Sequence, residues 1–182
     1  MAFSAIQNND KIGVIFFSDH IEKYIAPKKG RKHILYLIRE MLTFTPNSKR
    51  TDVGVSLEYL NKVMKRRCTA FVISDFYTRK DFSQELRIAN KKHDVVAIQV
   101  YDPRAKEMPD VGLMKVVDAE TGHEMYIDTH DARLRKVHNK YWEEREIRLH
   151  EMLSQSHVDS VAIATDDDYV KMLMTLFSKR NR

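Results

Sequence analysis

Thr69-Ala70-Phe71-Val72-Ile73-Ser74-Asp75 is a short apolar run that ends in Ser-Asp, and closely similar runs recur along the chain. Lys11–Phe17 leads into Ser18-Asp19, Val95–Tyr101 into Asp102, and Val161–Ala164 into Thr165-Asp166. Short apolar runs separated by helical stretches read as buried parallel strands of an α/β sheet. Such sheets bind ligands outside the carboxyl ends of their strands. All four carboxylates are therefore expected along one edge of the molecule. Each also has a local explanation, because Asp and Ser bond nearby backbone amides where a strand gives way to a turn or helix.

The segments around these runs extend the pattern. Ile21–Ala26 alternates apolar and polar residues, which predicts an antiparallel edge strand folding back on Lys11–Phe17, closed by Pro27. Arg31–Thr43, Asp52–Arg67 and Asp81–Lys92 carry apolar residues at helical spacing. Ala2–Gln7 reads as the tail of a further helix. Strand, helix and strand in alternation predict βαβ units and a parallel sheet. After Asp94–Tyr101 the rhythm changes. Asp102-Pro103 opens a loop, and Leu113–Asp118 and His123–Asp128 flank a Gly-containing turn, which predicts a β-hairpin inserted within residues 113–130. Asp131–Gln155 is a long charged helix, Asp159–Ala164 the last strand and Asp167–Ser178 the last helix. Thr165 and Asp168 have the spacing of a capping box. The expected fold is three-layer α/β: a mostly parallel sheet flanked by helices, with one antiparallel edge strand and an inserted hairpin, all of residues 1–182 in one domain.

A hydrophobic content of 43% against 31% charged residues is that of a folded globular chain and argues against disorder. The net charge of +5 is scattered over Lys28–Lys32, Lys65–Arg67, Lys91-Lys92 and Lys179–Arg182. Nucleic-acid binding needs such clusters on one face with stacking aromatics between them, so it stands only as a remote alternative. Cys68 is the sole cysteine, which removes intramolecular disulfides and cysteine metal sites. No signal peptide or membrane-length apolar stretch is seen, and a soluble, cytoplasmic chain is expected. There is no phosphate loop, no G-x-S-x-G elbow and no His-Glu-x-x-His. Glu146 and His150 share a helical face, but beside Glu143, Glu144, Arg145, Arg148 and Glu151 a solvated face is the expectation. Packing of the helix accounts for His138 and Trp142.

The more informative constellation joins Thr51-Asp52 to Ser74-Asp75. A threonine hydroxyl and a carboxylate at strand ends supply the hard oxygen ligands that Mg²⁺ takes. Thr51 has an ordinary alternative as a helix N-cap.

The order of Lys11–Asp19, Thr51-Asp52-Val53-Gly54, Phe71–Phe76 and Val100-Tyr101-Asp102-Pro103 resembles a von Willebrand factor type A-like (vWA-like) domain. More narrowly it is similar to the bacterial domain-of-unknown-function family 58, as are Pro109–Leu113, Asp118–Gly122 and Thr165–Val170. In type A domains a metal-ion-dependent adhesion site uses an Asp-x-Ser-x-Ser loop, then a threonine, then an aspartate. By resemblance Thr51 and Asp75 match the last two, while the first motif does not occur in this sequence. The resemblance implies that the chain begins after the family's first, central strand. Lys11–Phe17 and Thr69–Ser74 are then expected either to close up against each other or to be completed by a second chain.

The implied function is non-enzymatic: a protein-interaction domain working with a MoxR-type AAA+ ATPase in the assembly or maturation of other proteins. The binding edge is expected at Ser18, Asp19, Asp52, Ser74 and Asp102. Mg²⁺ is expected only in an intact protein, with no tight binding by this chain, and a homodimer is a second expected partner arrangement. The competing reading is a metal-assisted hydrolase using Asp19, Asp75 and Asp102 as a carboxylate cluster.

Overall fold

A computed structural model describes residues 6–78, 80–118 and 121–180. Strands β1 (Ile12–Phe17) and β2 (Ile21–Lys28) form an antiparallel pair. Strands β3 (Thr69–Ser74), β4 (Asp94–Tyr101) and β7 (Asp159–Ala164) form a parallel sheet in the order β3-β4-β7. The inserted hairpin is β5 (Leu113–Val117) with β6 (Glu124–Asp128). The helices are α1 (Arg31–Thr43), α2 (Val53–Val63), α3 (Ser83–Lys92), α4 (Pro103–Lys106), α5 (Ala132–Gln155) and α6 (Tyr169–Arg180). The architecture is the α/β class that the sequence predicts, a parallel sheet between helices with antiparallel strand pairs beside it.

The core explains why the strands read as continuous apolar runs. Val95, Val96, Ala97 and Ile98 of β4 are all buried, because helices cover both faces of that strand. On one face Val72, Val95 and Ala97 meet Val53 and Leu57 of α2, Leu86 and Ala89 of α3 and Leu153 of α5. On the other, α6 packs along β7, burying Leu176 and setting Phe177 edge-on to Phe71 at 6.0 Å.

Several boundaries differ from the sequence reading, each for a local reason. β2 continues through Pro27, which an edge strand tolerates because its outer amides need no partner. The close approach falls on Gly13, where a Cβ would lie 2.7 Å from the Ile25 carbonyl oxygen and 2.9 Å from the Pro27 ring; the register shifts there. α2 stops at Val63, well short of Arg67, because Cys68 must already be in place to accept the Asp94 N–H at 2.9 Å as β3 begins. The Asp81 carboxylate accepts the Ser83 N–H at 2.9 Å, so Asp81 turns the chain ahead of α3. Asp102-Pro103 opens a one-turn helix where a loop was expected, with Asp102 accepting the Arg104 N–H and proline in the first turn. No capping box forms at α6. The Thr165 N–H bonds Tyr101 O, and Asp168 accepts the Val170 and Lys171 N–H groups at 3.1 and 3.2 Å. Of the expected N-terminal helix tail, Ile6 and Gln7 are helical, and Ala2–Ala5 lie outside the described residues.

The two main strand groups do not merge. Among the described residues β1 and β3 belong to separate sheets, and each pairs along one edge only, with β2 and β4 respectively. The expected closure of one on the other does not occur. Helix α2 packs against both neighbourhoods instead: Val53 and Leu57 sit in the core cluster with Val72, and Phe17 of β1 packs on the same cluster.

Candidate functional site

The parallel registers Ser74↔Gln99 and Tyr101↔Ala164 put the carboxyl ends of β3, β4 and β7 at one end of the sheet. Asp75, Asp102 and Thr165-Asp166 follow those ends. The end of β1 reaches the same rim through α2, where Ser18 O accepts the Asp52 N–H at 2.9 Å.

At the β1 end, the turn to β2 carries a polar knot. The Glu22 side chain is fully buried, and it accepts the Ser18 hydroxyl at 2.8 Å, the Asn47 N–H at 2.9 Å and its side-chain amide at 2.7 Å, and the Ser48 N–H at 3.2 Å. Burial alone would raise its pKa, but the Ser18, Ser48 and Asn47 donors outweigh burial and hold it below the usual carboxylate range. This knot fixes the 44–50 loop on β2. It also directs the buried Ser18 hydroxyl toward Glu22, so Ser18 is a structural donor within the expected binding edge. Asp19 Oδ1 lies 2.9 Å from His20 Nδ1, and that hydrogen bond lowers the Asp19 pKa and raises that of His20.

Asp52 is 5% exposed and does three things. Its backbone N–H holds Ser18, its Oδ1 accepts the Val55 N–H at 3.3 Å as the cap of α2, and its Oδ2 lies 2.6 Å from Lys80 Nζ. The cap is therefore Asp52, one residue later than the Thr51 cap weighed from sequence; Thr51 is half-buried beside it. Lys80 escaped the sequence reading, since only its place shortly after Asp75 could have suggested it. The Asp52 hydrogen bond raises its pKa.

Ser74 and Asp75 build a sharp reversal. Ser74 Oγ accepts the Phe76 N–H at 3.0 Å, Asp75 Oδ1 accepts the Tyr77 N–H at 2.9 Å, and Phe76 takes a φ of 54°. Phe76 thereby enters the core and stacks on Phe82. Tyr77 faces α5, where the Arg145 guanidinium sits 4.5 Å from the Tyr77 ring centre and 4.9 Å from that of Trp142. An Arg145 Nη donates to Asp75 O at 3.4 Å, and Trp142 Nε1 donates to His138 Nε2 at 3.2 Å. Glu146 pairs with Lys106, whose ammonium also lies over the Tyr101 ring. The solvated face expected for this part of α5 holds for Glu143, Glu144, Arg148, His150 and Glu151, which are exposed, whereas Arg145 and Glu146 are half-buried contacts. The lone tryptophan was the available signal.

Thr51 and Asp75, even if both faced one Mg²⁺, would give it only two of the six oxygens it needs. Among the described residues, no three His, Cys, Asp or Glu side chains group in a way that could hold a metal. Lys80 and Arg145 also bring positive charge to this rim, so the described residues do not by themselves fit a Mg²⁺ shell.

The sequence matches, over residues 1–147, the family described as "Protein of unknown function DUF58". The chain belongs to the DUF58 family. An uncharacterized Mycobacterium tuberculosis protein, Rv1480, is 32% identical to this DUF58 chain over 115 residues, covering 62% of this chain and 36% of the relative. The chain thus spans about a third of the length of the curated relatives it matches first. An uncharacterized Mycobacterium avium protein, MAV169, is 28% identical over 160 residues, covering 87% of this chain and 94% of that one. Among solved structures, an aerotolerance-related membrane protein of Bacteroides fragilis aligns with a TM-score of 0.59 at 13% identity, over 98% of this chain and 85% of that one. The conserved hypothetical protein BatB of Bacteroides thetaiotaomicron aligns at 0.55 and 14% identity, over 98% and 84%. These likenesses concern the fold. Among the described residues no helix is long and apolar enough to cross a membrane.

Proposed function

We propose that this DUF58 chain is a non-enzymatic, vWA-like interaction domain that docks a protein partner on the strand-end rim. The partner class is a MoxR-type AAA+ ATPase, and the role is assembly or maturation of other proteins. One observation carries the reading: the rim acids are committed to holding structure. Asp52 caps α2 and pairs with Lys80, Asp75 and Asp102 close turns, and Asp19 bonds His20. General acid–base chemistry needs a carboxyl poised at a reacting centre, whereas docking gains from side chains already fixed in place. In a longer protein, Thr51 and Asp75 would add to a Mg²⁺ site open to a partner carboxylate. The reading places the domain in the cytoplasm, where the single Cys68 stays reduced. Gel filtration of the chain with a MoxR-type ATPase tests it. A comigrating complex is expected, and phosphatase or esterase turnover abolished by Asp75→Ala would replace the reading with the hydrolase one.

A second reading concerns the partner that completes the sheet. β1 and β3 each have an edge unused in pairing, and such edges accept added strands. Two chains completing each other's sheets would make a homodimer.

A further inference from the structure

We propose that Arg145, seated against the contacting rings of Tyr77 and Trp142, is a carboxylate-recognition point for an acidic segment of the protein that docks on the rim. The inference rests on the docking reading above and names the chemistry of the partner at that rim.

Buried or half-buried cations in proteins are ordinarily paired. The other half-buried arginines follow this, Arg135 pairing with Asp110 and Arg180 with Asp94 and Asp159, while half-buried Lys92 donates to the Asn61 carbonyl. Arg145 differs. Among the described residues no carboxylate lies within ion-pair distance of it, although burial lowers its pKa. Asp75 turns its Oδ1 to the Tyr77 N–H and its backbone oxygen to Arg145 at 3.4 Å, while the Asp75 and Glu146 charges act on the guanidinium from beyond ion-pair distance.

Tyr77 and Trp142, whose ring centres lie 6.0 Å apart, form one aromatic surface on which the guanidinium rests. Rings at 4.5 and 4.9 Å from the guanidinium carbon attract the cation without consuming its hydrogen-bond donors. A guanidinium has five N–H groups arranged to meet a carboxylate with two parallel bonds. Contact with the rings and the bond to Asp75 O restrict the side chain before an acid arrives, which lowers the ordering cost of binding. Tyr141 stands edge-on to Trp142 and is 47% exposed, offering an apolar surface beside the cation. The matching element is an acidic side chain next to an apolar one.

Trp142 is the only tryptophan in the chain, so its emission reports on the surroundings of Arg145 directly. The probe is a blocked Glu-Leu-Glu peptide, with Gln-Leu-Gln and inorganic phosphate as comparisons at matched ionic strength. The acidic peptide should change the emission saturably, and the amide peptide should not. Arg145→Lys keeps the charge and should weaken the peptide severalfold while the melting temperature holds; Arg145→Gln should abolish the response. The proposal is overturned if the wild-type response is absent, if the amide peptide matches it, if phosphate binds more tightly, or if Arg145→Lys binds equally well. An ATPase complex unaffected by Arg145→Gln would sink this inference and leave docking intact. Peptide binding without any ATPase complex would do the reverse.

Discussion

Lys80 Nζ lies 2.6 Å from Asp52 Oδ2, tying the loop after β3 to the first turn of α2. The Asp52 N–H also holds Ser18 at the end of β1. One residue therefore joins the two strand groups at the rim, where no strand-to-strand pairing does so.

Asp52→Ala removes both the cap and the ion pair. A lost N-cap costs about 1 kcal/mol, and a pair whose lysine is 71% exposed adds little to that. A destabilisation of about 1 kcal/mol is expected in urea unfolding, with the slope unchanged. Lys80→Met leaves a buried carboxylate without its cation and should lower the unfolding midpoint by less than Asp52→Ala does. An unfolding midpoint unmoved in Asp52→Ala would refute the joining role.

Magnesium should bind this chain weakly. Thr51 and Asp75 offer two oxygens, and Lys80 and Arg145 bring positive charge to the same rim. Calorimetric titration with Mg²⁺ or Mn²⁺ is expected to show no submillimolar site. A submillimolar site that disappears in Asp75→Ala would contradict this.

His93 predicts an acid-sensitive fold. Its ring is fully buried, with Nδ1 3.5 Å from Cys68 Sγ and Nε2 without a partner among the described residues. Burial, helped by Lys92, pushes its pKa below the ordinary 6.5. Above that value both states are neutral there; below it the unfolded chain takes up a proton that the folded chain refuses. Stability should therefore fall as pH drops from 6.5 toward the folded pKa. Half-buried His138, whose pKa burial also lowers, acts in the same sense. His20 acts oppositely: its raised pKa gives stability at low pH that is lost as pH rises. Exposure makes that contribution small. Chemical denaturation across this range should slope accordingly, and His93→Leu should flatten the slope. An unchanged slope in His93→Leu would exclude His93 as its source.

The open edges predict self-association. Ile73 of β3 is 50% exposed, unusual for an apolar residue in a parallel strand. Sedimentation velocity should show a concentration-dependent dimer, weakened by Ile73→Lys. A strict monomer at all concentrations, or a dimer indifferent to that change, would refute sheet completion between chains.

Much of the fold was readable because it rests on local periodicity. The limits of α1, β3, β4 and β7 match the apolar runs closely, since each run is bounded by its own turn residues. The misplaced ends arose where a local rule met a distant constraint. Thr51 fits a cap by sequence, but Asp52 takes that place because its backbone is also held by Ser18, far away in the chain. The rim acids Asp19, Asp75 and Asp102 were visible as strand-terminal residues, whereas their cationic neighbours were not. Lys80 reaches Asp52 across 28 positions, and Arg145 reaches Asp75 across 70. No spacing rule covers such distances. A charged helix conceals a half-buried arginine, because a guanidinium stacked on rings and one in solvent read identically in sequence.

The most direct test of the rim as a docking surface is calorimetry of the chain against a MoxR-type AAA+ ATPase. Three forms would be compared: wild type, the rim variant Asp19→Arg, and the exposed α6 variant Met174→Lys, which lies outside the proposed binding edge of Ser18, Asp19, Asp52, Ser74 and Asp102. Saturable binding weakened at least tenfold by Asp19→Arg and unchanged by Met174→Lys is the predicted result. No binding, or binding that both variants leave alike, would contradict the account.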